Sequence, residues 1–523
     1  MRKFGLIILL LCLLCFIPTV NASINNTDGI NQISDATDIT IERPAYVNNN
    51  QEDTQNTNRT TYNKNISTDN SYNKSITKMQ DNQLNYVKTA SNNNQTKHSS
   101  KMSVANITAT YSDTVVLRTI VVDKTLNKYV ARGKLAYKIN GITLGVVQII
   151  NGKAQLAYDT SSLKSGKYNI TAVYAGSSTV NSNRANATLT IKKIATKIVL
   201  GNVNAKTNTS TTINAKVYDN KNRLVNGGTL VFKVNGLTFA KVTVKNGTAS
   251  AKYTPLNIVR NYTISVVYGG TIRHLSSTQT SKLIVSLKIY TINWASKGNI
   301  KKNTVLYNSL PKTSITEELV NCASSATPYV VLGDGNGKCV FIVAGIHGNE
   351  LSSQLAAVRL INNLATQKIH GTLYIFPFVA PSYTGNNTRT LNGVNLNAVA
   401  DKSGTLSNKL VNFAISKKAV SLGDFHCTMP GGEPGADAAM GSYSPLKESA
   451  ALSKYISSKT SSRSIIYDKA AAEYPGAVED YCNQRGIVSV TCEVKTPHGT
   501  IASGSSEKSY KMMNYYLAYH NLI

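Results

Sequence analysis

Between about residues 106 and 285, short runs of the sequence alternate apolar and polar residues with a period of two. This period is typical of β-strands with one exposed face. Asn-Gly dipeptides separate the runs at Asn140-Gly141, Asn151-Gly152, Asn235-Gly236 and Asn246-Gly247. Since two-residue hairpin turns need positive φ, Asn-Gly is a favoured pair there. The pattern predicts an all-β region built from hairpins.

The pattern occurs twice. GKLAYKINGITLGVVQIINGKAQLAYDT, from Gly133, aligns with GTLVFKVNGLTFAKVTVKNGTASAKYTP, from Gly228, at an offset of 95 residues. Two tandem copies predict two β-sandwiches, and they resemble the immunoglobulin-like (Ig-like) repeats of bacterial and archaeal surface proteins. We expect Ig-like repeat 1 at residues 106–193 and repeat 2 at residues 194–286, acting as spacers or as wall-binding modules.

After about Leu287, continuous apolar runs alternate with helical segments. CVFIVAGI, GTLYIFPFV, AVSLGDFH and GIVSVTCEV read as strands buried on both faces, whereas ELSSQLAAVRLINNLA has apolar residues at helical spacing. Residues 287–523 are therefore predicted to form an α/β domain with a mixed, mostly parallel sheet between helices. In such domains the chemistry lies at the carboxyl ends of strands.

The first 22 residues combine a basic start, an apolar run and small residues before a cleavage point after Ala22. This is the pattern of a secretory signal peptide, and the apolar run is short for a membrane span. We expect an extracellular protein at the cell surface or in the cell wall, without an integral span in the mature chain. An uncleaved anchor is the alternative.

Residues 23–105 are rich in Asn, Thr and Ser and have too few large apolar residues for a core. They are predicted to be a disordered stalk. Sequons at Asn58, Asn65 and Asn73 predict that the stalk is glycosylated.

The chain carries 56 Lys and Arg against 27 Asp and Glu, a formal net charge of +29. Such a charge favours an anionic partner. For an exported protein the candidates are acidic wall polymers or lipid headgroups rather than nucleic acid. The alternative is a biased amino-acid usage in which the lysines only solvate surfaces.

Five cysteines remain after signal cleavage, and no two have C-x-x-C spacing. A thiolate zinc cluster is therefore not expected, whereas one or two disulfides in the C-terminal part are compatible with the count.

Candidate metal ligands follow the buried strands. His347 and Glu350 lie in GIHGNE, where a strand ends and a helix begins, so one turn directs an imidazole and a carboxylate at one point. His426 ends the strand LGDFH and supplies a third ligand of a His, Glu, His zinc set. Asp424 is a candidate outer partner. Glu493 closes the strand GIVSVTCEV, where a carboxylate needs a nearby cation.

GIHGNE, DFH and TCEV resemble the zinc carboxypeptidase superfamily, which includes aspartoacylase and succinylglutamate desuccinylase, over residues 287–523. The resemblance implies one Zn²⁺ held by His347, Glu350 and His426, with Glu493 as the general base. It also implies Arg389, in TRTLNGVNLNAV, as the cation that stabilises the oxyanion. PGAVEDYCNQRG resembles the segment that covers the substrate.

The sequence departs from the superfamily at Asn397-Ala398, where relatives have Asn-Arg. Asn397 remains a candidate substrate-binding residue, but the guanidinium that clamps a terminal carboxylate is absent. Lys402 is a candidate substitute. The departure favours endopeptidase or amidase action on an internal bond.

The leading hypothesis is a secreted zinc-dependent peptidase or amidase that acts on cell-wall peptides. The alternatives are a surface adhesin with an inactive peptidase-like domain, and deacylation of a small N-acyl amino acid, which export disfavours.

Overall fold

The computed structural model describes residues 96–390 and 392–523. The predicted signal peptide, its cleavage point and the predicted stalk up to residue 95 lie outside these residues. In the described part, none of the helices is both long and apolar enough to cross a membrane.

The first β unit is a single hydrogen-bonded sheet of nine strands in the order β1-β3-β7-β6-β5-β8-β9-β2, with β4 on β3. Strand β1 lies inside the predicted stalk and pairs with β3, so the ordered chain begins before residue 105. The strands are β1 (Ser100–Val104), β2 (Ile107–Thr110), β3 (Thr114–Asp123), β4 (Lys128–Tyr129), β5 (Arg132–Ile139), β6 (Ile142–Ile150), β7 (Lys153–Asp159), β8 (Gly166–Tyr174) and β9 (Asn183–Lys192).

The second β unit has two sheets, β10-β12-β15 and β11-β17-β16-β13-β14, which enclose one core. Ile213, Phe232 and Ile264 are fully buried in that core. The strands are β10 (Thr196–Val199), β11 (Val203–Lys206), β12 (Thr211–Asp219), β13 (Thr229–Val234), β14 (Leu237–Thr243), β15 (Thr248–Tyr253), β16 (Asn261–Tyr268) and β17 (Ser277–Ser286).

The predicted turns occur where the Asn-Gly pairs stand. Asn140, Asn151, Asn235 and Asn246 have φ between 46° and 47°, and the glycine after each also has positive φ. The two units even share a register shift, after Tyr137 in β5 and after Phe232 in β13, at the 95-residue offset. The all-β prediction is confirmed, and the Ig-like assignment stays a prediction.

Short polar contacts join the units to their neighbours. Lys221 of the second unit pairs with Asp113 of the first at 2.7 Å. At the other end, the Val259 N–H donates to the Ala365 carbonyl at 2.8 Å, and the Asn257 side chain donates to the Val331 carbonyl at 2.9 Å. The second unit is thus hydrogen-bonded to backbone carbonyls of the C-terminal domain.

The C-terminal domain is a mixed sheet of order β18-β19-β21-β20-β22-β25-β23-β24, in which β21, β20, β22 and β25 are parallel neighbours. The predicted α/β domain is confirmed. Its strands are β18 (Ile289–Ile292), β19 (Thr327–Leu332), β20 (Cys339–Ala344), β21 (Thr372–Phe376), β22 (Ser421–Thr428), β23 (Ala438–Ser444), β24 (Arg463–Lys469) and β25 (Val488–Lys495). Its helices are α1 (Thr304–Ser309), α2 (Ser314–Ala323), α3 (Leu351–Leu364), α4 (Pro381–Asn386), α5 (Leu406–Ser416), α6 (Lys447–Thr460), α7 (Val478–Gln484) and α8 (Ser505–Tyr519).

Helices cover both faces of this sheet. Val340 and Ile342 of β20 face a core shared with α3, α6 and α8, while Phe341 and Val343 face a second core shared with α5 and α7. Side chains alternate between the faces of a strand, so a strand buried on both faces is apolar throughout. This explains the continuous apolar runs in the sequence.

All five described cysteines, Cys322, Cys339, Cys427, Cys482 and Cys492, are free thiols. The expected disulfides are therefore not formed. Cys427, Cys482 and Cys492 lie in the buried interior, where they pack as small apolar side chains.

His520, directly after α8, is buried with 6% of its surface exposed, and its Nε2 atom has no hydrogen-bond partner among the described residues. Burial lowers the pKa of His520 from 6.5 to about 4, and Lys338 adds to the effect. The folded protein thus holds the imidazole neutral where the unfolded chain takes up a proton.

The free energy of unfolding should therefore fall as pH drops below 6.5, because only the unfolded chain is protonated down to the folded pKa of about 4. We expect His520→Gln to lose about 2 kcal/mol less stability than the parent between pH 7 and pH 5. Denaturant unfolding at both pH values measures the difference. Gln367→Asn, an exposed substitution that changes no titratable group, is the matched control and should keep the parent slope. Equal slopes for all three proteins would contradict the assignment.

Candidate metal centre

Neighbouring strands place the predicted site residues at one edge of the sheet. His347 and Glu350 lie between β20 and α3, and His426 lies near the end of β22, which pairs with β20. His426 and Glu493 are direct partners in the parallel register of β22 and β25. Since paired residues of adjacent strands point to the same face, these two side chains lie side by side.

The loop between β20 and α3 depends on two glycines and a glutamine. Gly345 has φ of +80°, which favours glycine. At Gly348, a Cβ atom would lie 2.0 Å from the Tyr383 carbonyl carbon. The Gln354 side chain donates to the Gly348 and Glu350 carbonyls, both at 3.1 Å. The loop therefore has one backbone path, which fixes where His347 and Glu350 point.

Glu350 lies between the two imidazoles. Its Oε1 atom is 2.7 Å from His347 Nδ1 and its Oε2 atom is 2.8 Å from His426 Nδ1. All three residues are buried, and one ligand atom from each lies within 4.8 Å of the others. The structure thus brings together the three predicted ligands, which are far apart in sequence.

Each imidazole has a second partner on its other nitrogen. His347 Nε2 is 2.8 Å from the Asn395 side-chain oxygen, which can only accept a hydrogen bond. His426 Nε2 is 2.8 Å from Asp424 Oδ2, close enough for an ion pair but not aligned for a hydrogen bond. A proton held on Nε2 leaves Nδ1 free to act as a ligand. Asp424 is thus placed as the predicted outer partner.

The pKa values of Glu350 and His426 are strongly shifted by their neighbours. Burial alone would raise the pKa of Glu350, but His347 and His426 hold that pKa well below its usual value. Burial alone would lower the pKa of His426, but Asp424 and Glu350 raise it well above its usual value. The site therefore keeps a negative carboxylate in the interior because positive charge lies next to it.

Glu493 is the second acid of the site. Its Oε2 atom is buried and has no hydrogen-bond partner among the described residues. Burial, and then the charge of Glu350, raise the pKa of Glu493 to about 8. A carboxylate with an unpaired buried oxygen beside a second carboxylate is unfavourable unless a cation is bound nearby.

The donor set fits a divalent metal ion. Two imidazole nitrogens and a carboxylate oxygen form the three-ligand set of catalytic zinc sites, in which a fourth position stays open. Such a site also requires an acceptor next to the second nitrogen of each imidazole, and Asn395 and Asp424 are placed there. The unpaired oxygen of Glu493 lies where a nearby cation would compensate it. His347, Glu350 and His426 would hold the ion.

Arg389 is also at the site. Its Nη1 atom donates to Glu350 Oε1 at 2.6 Å, while 43% of its side chain stays exposed. A guanidinium that contacts a ligand and also reaches solvent lies at the mouth of the site, where a bound substrate would meet it.

The predicted substrate-binding residue Asn397 has a partner within the protein. Its side-chain oxygen accepts the Val478 N–H, which starts α7, at 2.9 Å. The adjacent Ala398 is exposed, and its carbonyl oxygen would lie 2.5 Å from a Cβ at Gly476, so Gly476 packs against the backbone here. Lys402 pairs with Asp401 and is 68% exposed. The substrate-binding role of Asn397 stays a prediction.

The sequence alone did not predict three contacts of the site. They are the Asn395 oxygen on His347, the Cys427 backbone N–H that donates to Glu350 Oε2 at 2.9 Å, and His498, whose Nε2 lies 3.8 Å from Glu350 Oε1. Asn395 lies two residues before Asn397 in the segment TRTLNGVNLNAV, which was a usable signal. His498 lies in the short loop that follows the Glu493 strand.

Comparison with known families finds a match to the segment that carries the candidate metal ligands. Residues 336–429 match the model of the succinylglutamate desuccinylase/aspartoacylase catalytic domain. The matched segment contains His347, Glu350, Arg389 and His426, whereas Glu493 lies beyond it. The C-terminal part therefore contains a segment similar to this catalytic domain, as the resemblance implied. No curated protein matches the sequence significantly.

Several solved structures are similar to the chain. A succinylglutamate desuccinylase from a Silicibacter species is 18% identical, with 38% of this chain and 61% of that chain covered and a TM-score of 0.33. An aspartoacylase family protein from Mesorhizobium loti is 18% identical, with 38% and 62% covered and a TM-score of 0.32. A succinylglutamate desuccinylase/aspartoacylase from Rhodobacter sphaeroides is 20% identical, with 38% and 60% covered and a TM-score of 0.31. The chain thus spans less than two thirds of each of these proteins.

Gly348→Ala should disrupt the site, because its Cβ would overlap the Tyr383 backbone and displace His347 and Glu350. We expect zinc affinity to fall about 10- to 100-fold, the loss typical of misplaced ligands. Competition with a chromogenic chelator measures the affinity. Gly201→Ala, where a Cβ meets nothing within 4 Å, should bind zinc like the parent. Unchanged affinity in Gly348→Ala would show that the loop tolerates the displacement.

Proposed function

From the match over residues 336–429, we propose that the protein is a secreted, cell-surface zinc-dependent hydrolase that cleaves C–N bonds, as a peptidase or amidase, in cell-wall peptides. One observation carries the proposal: His347, Glu350 and His426 meet around one point, with the carboxylate of Glu493 beside them. The signal peptide predicted from residues 1–22 is the basis for the proposed location.

Zinc suits the two nitrogen ligands and one oxygen ligand, and when bound it polarises a carbonyl and makes water more acidic near neutral pH. The outer contacts of Asn395 and Asp424 hold the imidazoles with Nδ1 facing the ligand position. The protein's own contribution at this point is a preformed, buried ligand set.

Glu493 is the general base. Its unpaired oxygen accepts a proton from the attacking water and passes that proton to the nitrogen of the leaving amine as the C–N bond breaks. This role needs the ionised carboxylate, whereas the pKa near 8 favours the protonated form at neutral pH. A divalent ion held by His347, Glu350 and His426 would lower the pKa of Glu493, because nearby positive charge favours the ionised carboxylate.

Arg389 stabilises negative charge on the carbonyl oxygen of the substrate as the tetrahedral intermediate forms. It lies within hydrogen-bond distance of a ligand and is partly exposed. A substrate oxygen that enters the site would compete with Glu350 for the guanidinium. Arg389 thus sits where a substrate carbonyl would enter.

The substrate is an internal amide rather than a chain terminus. Ala398 stands where relatives carry the arginine that clamps a terminal carboxylate, and its exposed methyl side chain supplies no charge. Asn397 holds the start of α7. With no cation supplied by this element, a terminal carboxylate would be desolvated without a partner. This favours endopeptidase or amidase action over carboxypeptidase action.

A second candidate is a surface adhesin with an inactive hydrolase-like domain. Two tandem β units, proposed to be Ig-like spacers or wall-binding modules, and the missing arginine favour it. The complete set of His347, Glu350, His426 and Glu493 opposes it, because a domain without activity has no use for a base beside the ligands.

Glu493→Gln should abolish turnover without loss of the metal, because the amide keeps the shape but cannot accept the proton. We expect stoichiometric zinc by elemental analysis and a fall in kcat of about 100- to 10,000-fold on wall peptides. Glu507→Gln, on the surface of α8 and 48% exposed, is the matched control and should keep full activity.

Digestion of isolated walls, followed by mass analysis of the fragments, identifies the bond. New amino termini without loss of terminal residues are expected for an endopeptidase. Stoichiometric zinc in the parent with no release from any wall peptide would reject the hydrolase and support the adhesin.

A further inference from the structure

The positive charge of the chain is concentrated in the two β units. Residues 96–286 contain 26 Lys and Arg, four Asp and no Glu, whereas residues 287–523 contain 22 Lys and Arg and 15 Asp and Glu. The remaining residues, 1–95, contain eight of each sign. A biased amino-acid usage would act on the whole chain, so it does not explain why acidic residues are scarce only in the β units.

Each of the four aspartates of the β units has a cation or a backbone N–H as its partner. Asp113 pairs with Lys221 at 2.7 Å, Asp123 with His98 at 2.7 Å, and Asp219 with Arg223 at 2.8 Å. Asp159 accepts the Ser161 N–H at 2.9 Å and caps a helical turn. The outer surfaces therefore retain almost no negative charge to offset the lysines.

The lysines lie on both sheets of the second β unit. On the three-stranded sheet, the outer face carries one lysine on each strand, and all three are exposed. The outer face of the five-stranded sheet carries four, one of which, Lys206, pairs with Glu318. Setting Lys206 aside leaves six lysines on the two faces. Among the described residues, none of the six pairs with a carboxylate. They are Lys197, Lys216 and Lys252 on the first face and Lys233, Lys241 and Lys282 on the second.

We infer that the β units bind a linear anionic polymer, with repeated phosphate or carboxylate groups, and that the two lysine faces of the second unit are its contact surface. The location at a wall rests on the proposed function, but the binding itself does not. Lysine is a point charge on a flexible stem, whereas arginine serves fixed, two-pronged recognition. Twenty of the 26 basic residues are lysines. The surface thus recognises repeated charge rather than one defined group.

A polymer fits this arrangement better than a membrane. A flat bilayer contacts one face of a β unit, whereas a flexible chain reaches both sheets. Binding by many separate ion pairs releases counterions, so the affinity should fall steeply with salt.

Binding of the full chain to immobilised polyphosphate, polygalacturonate and neutral dextran tests the inference. We expect binding to both anionic polymers, none to dextran, and a loss of at least about 100-fold between about 50 and 200 mM salt. The relative affinity for polyphosphate and polygalacturonate identifies the preferred group. Dextran binding equal to that of the anionic polymers would overturn the inference.

Two triple variants test the lysine faces: Lys197→Gln with Lys216→Gln and Lys252→Gln, and Lys233→Gln with Lys241→Gln and Lys282→Gln. Each should raise the Kd roughly tenfold at low salt, because three contacts are lost. The matched control removes three exposed lysines of the C-terminal domain, Lys409, Lys447 and Lys511, and should change the Kd less than twofold. An equal effect of the control would mean that net charge alone matters, which would overturn the assignment to the β units.

Two further measurements keep the outcomes distinct. If vesicles of pure phosphatidylglycerol bind more tightly than either polymer and only one triple variant weakens that binding, the partner is a membrane surface and the polymer inference is wrong. If duplex DNA binds more tightly than either polymer, the partner is nucleic acid and the inference is also wrong. Hydrolysis of a small soluble amide should be unchanged in both triple variants. Failure of the hydrolase proposal would therefore leave the polymer binding intact, and the reverse also holds.

Discussion

The site depends on one interaction: a carboxylate held in the protein interior between two imidazoles. Glu350 is 2% exposed and contacts His347, His426 and Arg389. Removing a carboxylate from water costs several kcal/mol unless opposite charge compensates. The fold supplies that compensation by bringing the loop of His347 and the strand of His426 to Glu350. The loop path, the strand register and the outer partners of both imidazoles keep these groups next to the carboxylate.

The parallel sheet brings these site residues together. Strands β20, β22 and β25 run side by side, so their carboxyl ends meet at one edge although their sequences are far apart. The register sets His426 beside Glu493 without help from any loop. Residues on paired strands are held by backbone hydrogen bonds, which positions a base more rigidly than a loop would.

Much of this architecture was predictable from the sequence, because it rests on local rules. Continuous apolar runs predicted the buried strands, and the Asn-Gly pairs predicted turns such as that at Asn140. What could not be predicted depends on contacts between distant segments. Asn395 reaches His347 across the fold, Asn397 accepts from Val478 rather than facing solvent, and the burial of His520 arises only when α8 packs. The five thiols stay unpaired for the same reason: spacing does not determine which sulfurs meet.

Helix α3 links two features that otherwise look unrelated. It begins directly after Glu350 and ends next to Ala365, whose carbonyl accepts the Val259 N–H of the second β unit. Fourteen residues of helix span about 21 Å. If the second β unit binds a polymer as proposed, α3 sets the distance between the hydrogen bond at Ala365 and the carboxylate of Glu350. A lengthened or kinked α3 would then change where along the polymer the site acts.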